Sequence, residues 1–155
     1  GWIPVLIWDD GAMYECAAIT IFLCDRHQDA KLAPAPNSPL RSLFLQTLVY
    51  FSSSIQTAFQ QDYHPYRFAD KIEDEPGAQR RGQKRLMETL QIIDYQIGEN
   101  KWILGECFSA ADIYLYMLTT WLKPSREHPD LSNFPNVQRI AKQTGVRPSI
   151  KLVYG

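Results

Sequence analysis

The spacing of apolar positions changes twice along the chain. The run Ile3-Pro4-Val5-Leu6-Ile7-Trp8, the turn signal Asp9-Asp10-Gly11 and the return Ala12-Met13-Tyr14-Glu15 read as a β-hairpin over residues 3–15. From Cys16 to His27 the pattern switches to helical, with Ala17, Ala18, Ile19, Ile21, Phe22 and Leu23 suited to a buried helix. Lys31-Leu32-Ala33-Pro34-Ala35-Pro36-Asn37 cannot extend that helix, because its two prolines lack the needed N–H, and it reads as a linker. Ser38 and Pro39 then predict an N-cap and first turn. Leu43, Phe44, Leu48, Phe51, Ile55 and Phe59 carry the following helix to about Gln60. Asp62-Tyr63-His64-Pro65-Tyr66-Arg67 breaks the pattern, and a polar stretch containing Pro76-Gly77 follows. Leu86, Leu90, Ile93 and Ile97 mark a helix over residues 78–97. Trp102-Ile103-Leu104-Gly105 is an apolar connector, residues 113–121 are apolar on nearly every side, and short helices are expected over 136–143 and after Pro148.

The start of the most apolar helix is spelled out. Ser109 and Asp112 have the spacing of a capping box, and Phe108 and Ile113 that of a hydrophobic staple. A helix buried on all sides cannot have bare N–H groups repaired by water, and each one left unpaired costs roughly 1–3 kcal/mol. This serine and aspartate therefore read as folding devices rather than as chemistry.

Composition narrows the function classes. The 155 residues are 45% apolar and 21% charged with a formal net charge of −1, which supplies no electrostatic attraction for nucleic acid or acidic lipid. No membrane association is expected. Cys16, Cys24 and Cys107 are an odd number without C-x-x-C spacing, as free thiols in a cytoplasmic setting would be. His27, His64 and His128 lie far apart without ligand-spaced companions, so no metal site is expected.

The segment WILGECFSAADIYL resembles the W-L-x-G-x-x-F-S-x-A-D-I stretch of the C-terminal helical domain of cytosolic glutathione S-transferases. IPVLIWDDGAMYECAAITIFLCDRH is similar to the family's V-P-x-L, D-G and E-S-x-A-I segment, which ends its thioredoxin-like domain. KLAPAP resembles the linker and RPSIK the late R-P-x-V motif, so the resemblance covers nearly the whole chain in order. It implies a mainly α fold, a helical bundle preceded by a partial thioredoxin-like segment of hairpin plus helix. The implied boundaries are 1–29 for the glutathione-side segment, 30–37 for the linker and 38–155 for the helical domain.

The same resemblance implies glutathione as substrate, a small-molecule electrophile as second substrate, no metal, and a homodimer. Ile3, before a cis Pro4, would pair its backbone with the cysteinyl part of glutathione. Glu15 and Cys16 would hold the γ-glutamyl end, a carboxylate accepting from the ligand's ammonium and helix-start amides receiving its carboxylate. Cys16 departs from the family's serine, and a thiol is the weaker donor. Tyr63, Tyr66, Arg67, Tyr114 and Trp121 are the candidates for the second-substrate pocket, each also open to a reading as packing. The dimer surface implied by the family spans residues 16–27, 39–60 and 78–97, with Phe44, Tyr50, Phe51 and Phe59 as candidates for that surface or for the core.

The family's catalytic Tyr, Ser or Cys belongs to a first strand that would precede Gly1, with a helix and second strand, and no residue of this chain maps to it. The chain is accordingly expected to be part of a longer enzyme, with a natural truncation and a truncated binding module as the other readings. Two functions follow from the resemblance: a glutathione transferase whose catalytic strand lies elsewhere, or a non-catalytic dimerisation or scaffold module.

Overall fold

The period-two run forms the expected hairpin. In the computed structural model, which describes residues 3–155, β1 (Val5–Trp8) pairs antiparallel with β2 (Gly11–Tyr14), Val5 opposite Tyr14 and Trp8 opposite Gly11. Gly1 and Trp2 of the expected 1–29 segment lie outside the described residues. A Cβ at Gly11 would sit 2.7 Å from the Trp8 indole, so only glycine allows Trp8 to fold over its own partner strand. Trp8 then stacks on Phe22 of α1 (Cys16–Arg26) at 5.1 Å between ring centroids, which seats the hairpin on that helix.

The next helical rod starts later than Ser38 and Pro39 suggest. Its first segment, α2 (Arg41–Tyr50), begins after a turn in which the Ser38 carbonyl accepts from the Arg41 N–H. Arg41 is bound elsewhere: its guanidinium grips Asp25 of α1 at 2.9 Å and 3.0 Å and also donates to the Pro34 carbonyl. That bidentate pair ties α1, the linker and α2 together. After α2 the rod passes through a π-helical turn (Phe51–Ile55) into α3 (Gln56–Tyr63). Ser52 and Ser53 both donate to the Val49 carbonyl, at 3.1 Å and 2.8 Å, competing with the backbone ladder where the rod widens.

The fourth helix, α4 (Glu75–Ile97), begins three residues before the expected 78, because Pro76 and Gly77 occupy its first turn instead of preceding it. It packs closely on α3 at Gly82, where a Cβ would come within 2.7 Å of the Asp62 amide nitrogen. Then follow α5 (Ala110–Thr120), α6 (Pro135–Gly145) and α7 (Pro148–Tyr154). The core lies between α2–α3, α4, α5 and α6, with Phe44, Phe51, Leu90, Ile93, Leu115 and Ile140 at 0–1% exposure.

Three of the four side chains considered for a dimer surface belong to that core: Phe44, Phe51 and Phe59 are all buried. Tyr50 is half-buried and donates its hydroxyl to the Thr89 carbonyl of α4. The exposed large apolar side chains in the stretches considered for that surface are instead Leu23 of α1, Leu40, Val49 of α2, and Met87, Ile92 and Tyr95 of α4. Among the described residues, no helix is long and apolar enough to cross a membrane.

The capping box at α5 is present, and every donor at that helix start is used. Asp112 Oδ2 accepts from the Ser109 N–H at 2.8 Å, Ser109 Oγ accepts from the Ala111 N–H at 3.2 Å, and the Ala110 N–H reaches the Leu32 carbonyl of the linker at 2.7 Å. The other carboxylate oxygen, Oδ1, accepts from the Ile103 N–H at 2.9 Å, pinning the apolar connector to the helix it precedes.

Candidate functional site

The hairpin and the start of α1 face the π turn and α3 across a cavity of about 680 Å³. Ile3, Pro4, Glu15 and Cys16 line one side, while Ser52, Gln56 and Gln60 line the other. The Ile3–Pro4 peptide bond is cis, and Ile3 is 94% exposed, so its backbone borders open space.

Glu15 is held in a backbone conformation that side-chain-bearing residues rarely adopt, with φ 76° and ψ 114°. Such residues cost of order 1–3 kcal/mol and concentrate at functional sites. Its carboxylate makes no cap to its own helix. The N–H groups of Cys16, Ala17 and Ala18 have no intrahelical acceptor by position, and the positive end of the helix dipole lies with them. A carboxylate beside a ring of free amides suits a zwitterionic ligand, with ammonium on the first and carboxylate on the second.

Behind these groups runs a short relay. Tyr114 of α5 donates its hydroxyl to Gln56 Oε1, and Gln56 Nε2 donates to Cys16 Sγ at 3.7 Å. Burial, then the nearby Cys16 and Glu15, pushes the Tyr114 phenol far above its ordinary range, so it stays a donor. Cys24, further along α1, is pushed up by burial first and by Asp25 next, against Arg41, which keeps it a neutral thiol.

Two further cavities open from the first. One of about 330 Å³, almost wholly apolar, shares Pro4 and Cys16 with it and takes in Tyr114 and Met117. The other, about 400 Å³, shares Ile3, Gln56 and Gln60 and is walled by Phe59, Tyr63 and Trp121 with His64 and Lys123. The wall of this third cavity is braced from behind. Tyr63 donates to the Trp121 carbonyl at 2.8 Å, and the Lys123 N–H donates to His128 Nδ1 at 3.0 Å. That bond leaves Nε2 of His128 as the protonated nitrogen, donating to the buried Asp62 carboxylate at 2.8 Å. Asp62 also receives Arg126 Nε at 2.7 Å and the amides of Gln79 and Gln83. Burial alone would raise the Asp62 carboxyl, but the bonds from Arg126, His128 and Gln79 outweigh it and hold the group below its ordinary value.

Of the nine residues expected to contact ligands, seven line these three adjoining cavities: Ile3, Pro4, Glu15, Cys16, Tyr63, Tyr114 and Trp121. Tyr66 and Arg67 line none of the three. The α3 helix stops at Tyr63, and Pro65 starts a one-turn 3₁₀ segment on which the Arg67 guanidinium covers the ring of Tyr66, itself 56% exposed. Sequence reasoning missed Ser52, Gln56, Gln60 and Lys123. The first three recur every fourth residue along the rod, a polar stripe that periodicity could have flagged.

The family model for the glutathione S-transferase C-terminal domain matches residues 76–141. A glutathione S-transferase from Escherichia coli O157:H7, GstA, is 29% identical over 152 residues, covering 97% of this chain and 71% of that protein. Among solved structures, the ternary complex of BphK, a bacterial glutathione S-transferase, superposes with a TM-score of 0.82 at 28% identity, over 97% of this chain and 72% of that one. A sphingomonad glutathione S-transferase complexed with glutathione gives a TM-score of 0.81 at 27% identity, over 97% and 71%.

Proposed function

Since the chain is a glutathione S-transferase family protein, we propose that it forms the glutathione-recognition wall and the second-substrate wall of a transferase that joins glutathione to an electrophile. The observation that carries this reading is the convergence of Ile3, Pro4, Glu15 and Cys16 on one cavity that opens into an aromatic-walled one.

Glu15 takes the ammonium of the γ-glutamyl group, the first-turn amides of α1 take its α-carboxylate, and the Ile3 backbone pairs with the cysteinyl residue. This points the sulfur toward Tyr63 and Trp121. There the thiolate forms an S–C bond with the electrophile, the thiol proton having left and any leaving group departing with its electron pair. Residues 1–29 supply the glutathione side, 30–37 the linker and 38–155 the electrophile side; no residue of this chain is assigned the removal of the thiol proton. The free Cys16, Cys24 and Cys107 support a reducing, cytoplasmic setting.

Equilibrium dialysis with glutathione and with cysteinylglycine tests the reading. The tripeptide binds more tightly because only it carries the group that Glu15 and α1 recognise; equal affinities would contradict the assignment. Cys16→Ser provides a second check. Replacing a weak thiol donor with a hydroxyl beside a charged ligand group tightens glutathione by about three- to ten-fold in the same assay.

We also propose a homodimer through the face that carries Val49, Met87, Ile92 and Tyr95. The exposure of these four apolar side chains on α2 and α4 supports it. In sedimentation velocity, Ile92→Arg combined with Tyr95→Glu shifts the protein to monomer while its helical circular dichroism stays unchanged. A wild-type protein that is monomeric at all concentrations would refute the dimer.

A further inference from the structure

We propose that the cavity between α3 and the chain after α5 selects aromatic electrophiles that carry a carboxylate, with Lys123 as the specificity-determining residue. This rests on the reading of that cavity as the second-substrate site and adds the class of substrate it takes.

The cavity's chemistry is asymmetric. Tyr63 and Trp121, both half-buried, provide the aromatic surface, and the buried Phe59 backs Trp121 edge-to-face at 5.5 Å. The charged and titratable lining consists of Lys123 and His64 with the phenol of Tyr63, and it contains no carboxylate, whereas the adjoining glutathione cavity is lined by Glu15. Among the described residues Lys123 forms no ion pair. Its neighbour Arg126, by contrast, is consumed by Asp62 and covers the Tyr63 ring at 4.4 Å.

The position of Lys123 is also fixed. The Asp62–His128 pair holds its backbone N–H, and Tyr63 holds the carbonyl of Trp121 two residues before it. A buried four-donor carboxylate thus supports the segment that presents one unpaired ammonium at the rim of an aromatic slot. A flat ring bearing an anionic group matches both features, the ring against Trp121 and Tyr63 and the carboxylate on Lys123. Because Lys123 is exposed, solvent screening limits the gain, and the preference over a neutral isostere is about three- to ten-fold.

Isothermal titration with para-nitrobenzoate and with para-nitrobenzamide tests this, since the two share a ring and differ in charge. The wild type prefers the benzoate by about three- to ten-fold, and the preference shrinks as salt is raised. Lys123→Met abolishes the preference while leaving benzamide binding within about two-fold, and Lys123→Arg keeps it. Equal binding of the two probes, no measurable binding of either, or a preference that survives Lys123→Met would overturn the proposal. So would a Lys123→Met variant that loses glutathione affinity and leaves the probe pair unchanged, because Lys123 would then belong to the tripeptide's site. Failure of glutathione to bind, with the benzoate preference intact and dependent on Lys123, would sink the transferase reading and leave this one standing.

Discussion

Asp112→Ala unfolds in urea with about 3–5 kcal/mol less stability than the wild type. The side chain is fully buried and accepts from the Ser109 N–H, the Ser109 hydroxyl and the Ile103 N–H. Alanine leaves two backbone donors bare in the interior and frees the connector that Ile103 anchors. Part of the loss is offset, because burial pushes the Asp112 carboxyl above its ordinary value against those same hydrogen bonds. The sign follows from that shift. A raised carboxyl contributes stability that is fully present below its unfolded value of 3.8 and is lost as pH rises through the folded value. Asp112→Asn loses less, since its amide oxygen still accepts one of the two N–H groups. A loss below about 1 kcal/mol for the alanine variant would show that the box is not what starts this helix.

Asp62→Ala costs a comparable amount, about 3–5 kcal/mol, because it strands a buried imidazole N–H and a partly buried guanidinium without their shared acceptor. Here the pH dependence runs the other way. The Asp62 carboxyl lies below its ordinary 3.8, so its contribution is present above that value and lost as pH falls through the folded one. Urea unfolding of wild type and variant across an acid series should show a gap that is constant near neutrality and closes at low pH. A gap that widens on acidification would contradict the network. Releasing His128 also releases the Lys123 backbone, so the same variant should lose discrimination in the adjacent cavity.

These two carboxylates differ in how far the sequence reveals them. Asp112 acts on Ser109, three residues before it, and that spacing is legible in one line of text. The hairpin, the apolar spine Leu86, Leu90, Ile93 and Ile97, and the buried helix after Ser109 are equally local, and all of them stand in the structure. Asp62 is bonded to Arg126 and His128, separated by 64 and 66 residues, and no local period encodes such a pairing. The start of α6 shows the same limit. Phe134 cannot cap it, and Asp94 of α4 does so from 42 residues away by accepting the Asn136 N–H at 2.8 Å. Periodicity likewise groups Phe44 with Val49 as apolar without saying that one faces the core and the other solvent.

The candidate site divides along the same line. Glu15 and Cys16 are adjacent and lie at a helix start, so motif and physics point to them together. Tyr66 and Arg67 fall in the stretch where the family resemblance puts the second pocket, but Pro65, between them and Tyr63, ends the helix and turns the chain onto a different surface. Lys123 enters the site only through the packing of α3 against the segment after α5, which resemblance to the quoted motifs does not address.

The central claim is that Glu15 and the helix start beside it recognise glutathione, and the most direct measurement is calorimetric titration of glutathione into the wild type and Glu15→Gln. One site per chain, weakened by about ten-fold or more when the carboxylate becomes a neutral amide, is the result expected for a charge-assisted hydrogen bond to the ligand's ammonium. Unchanged affinity in the variant, or no binding to the wild type, would contradict the account.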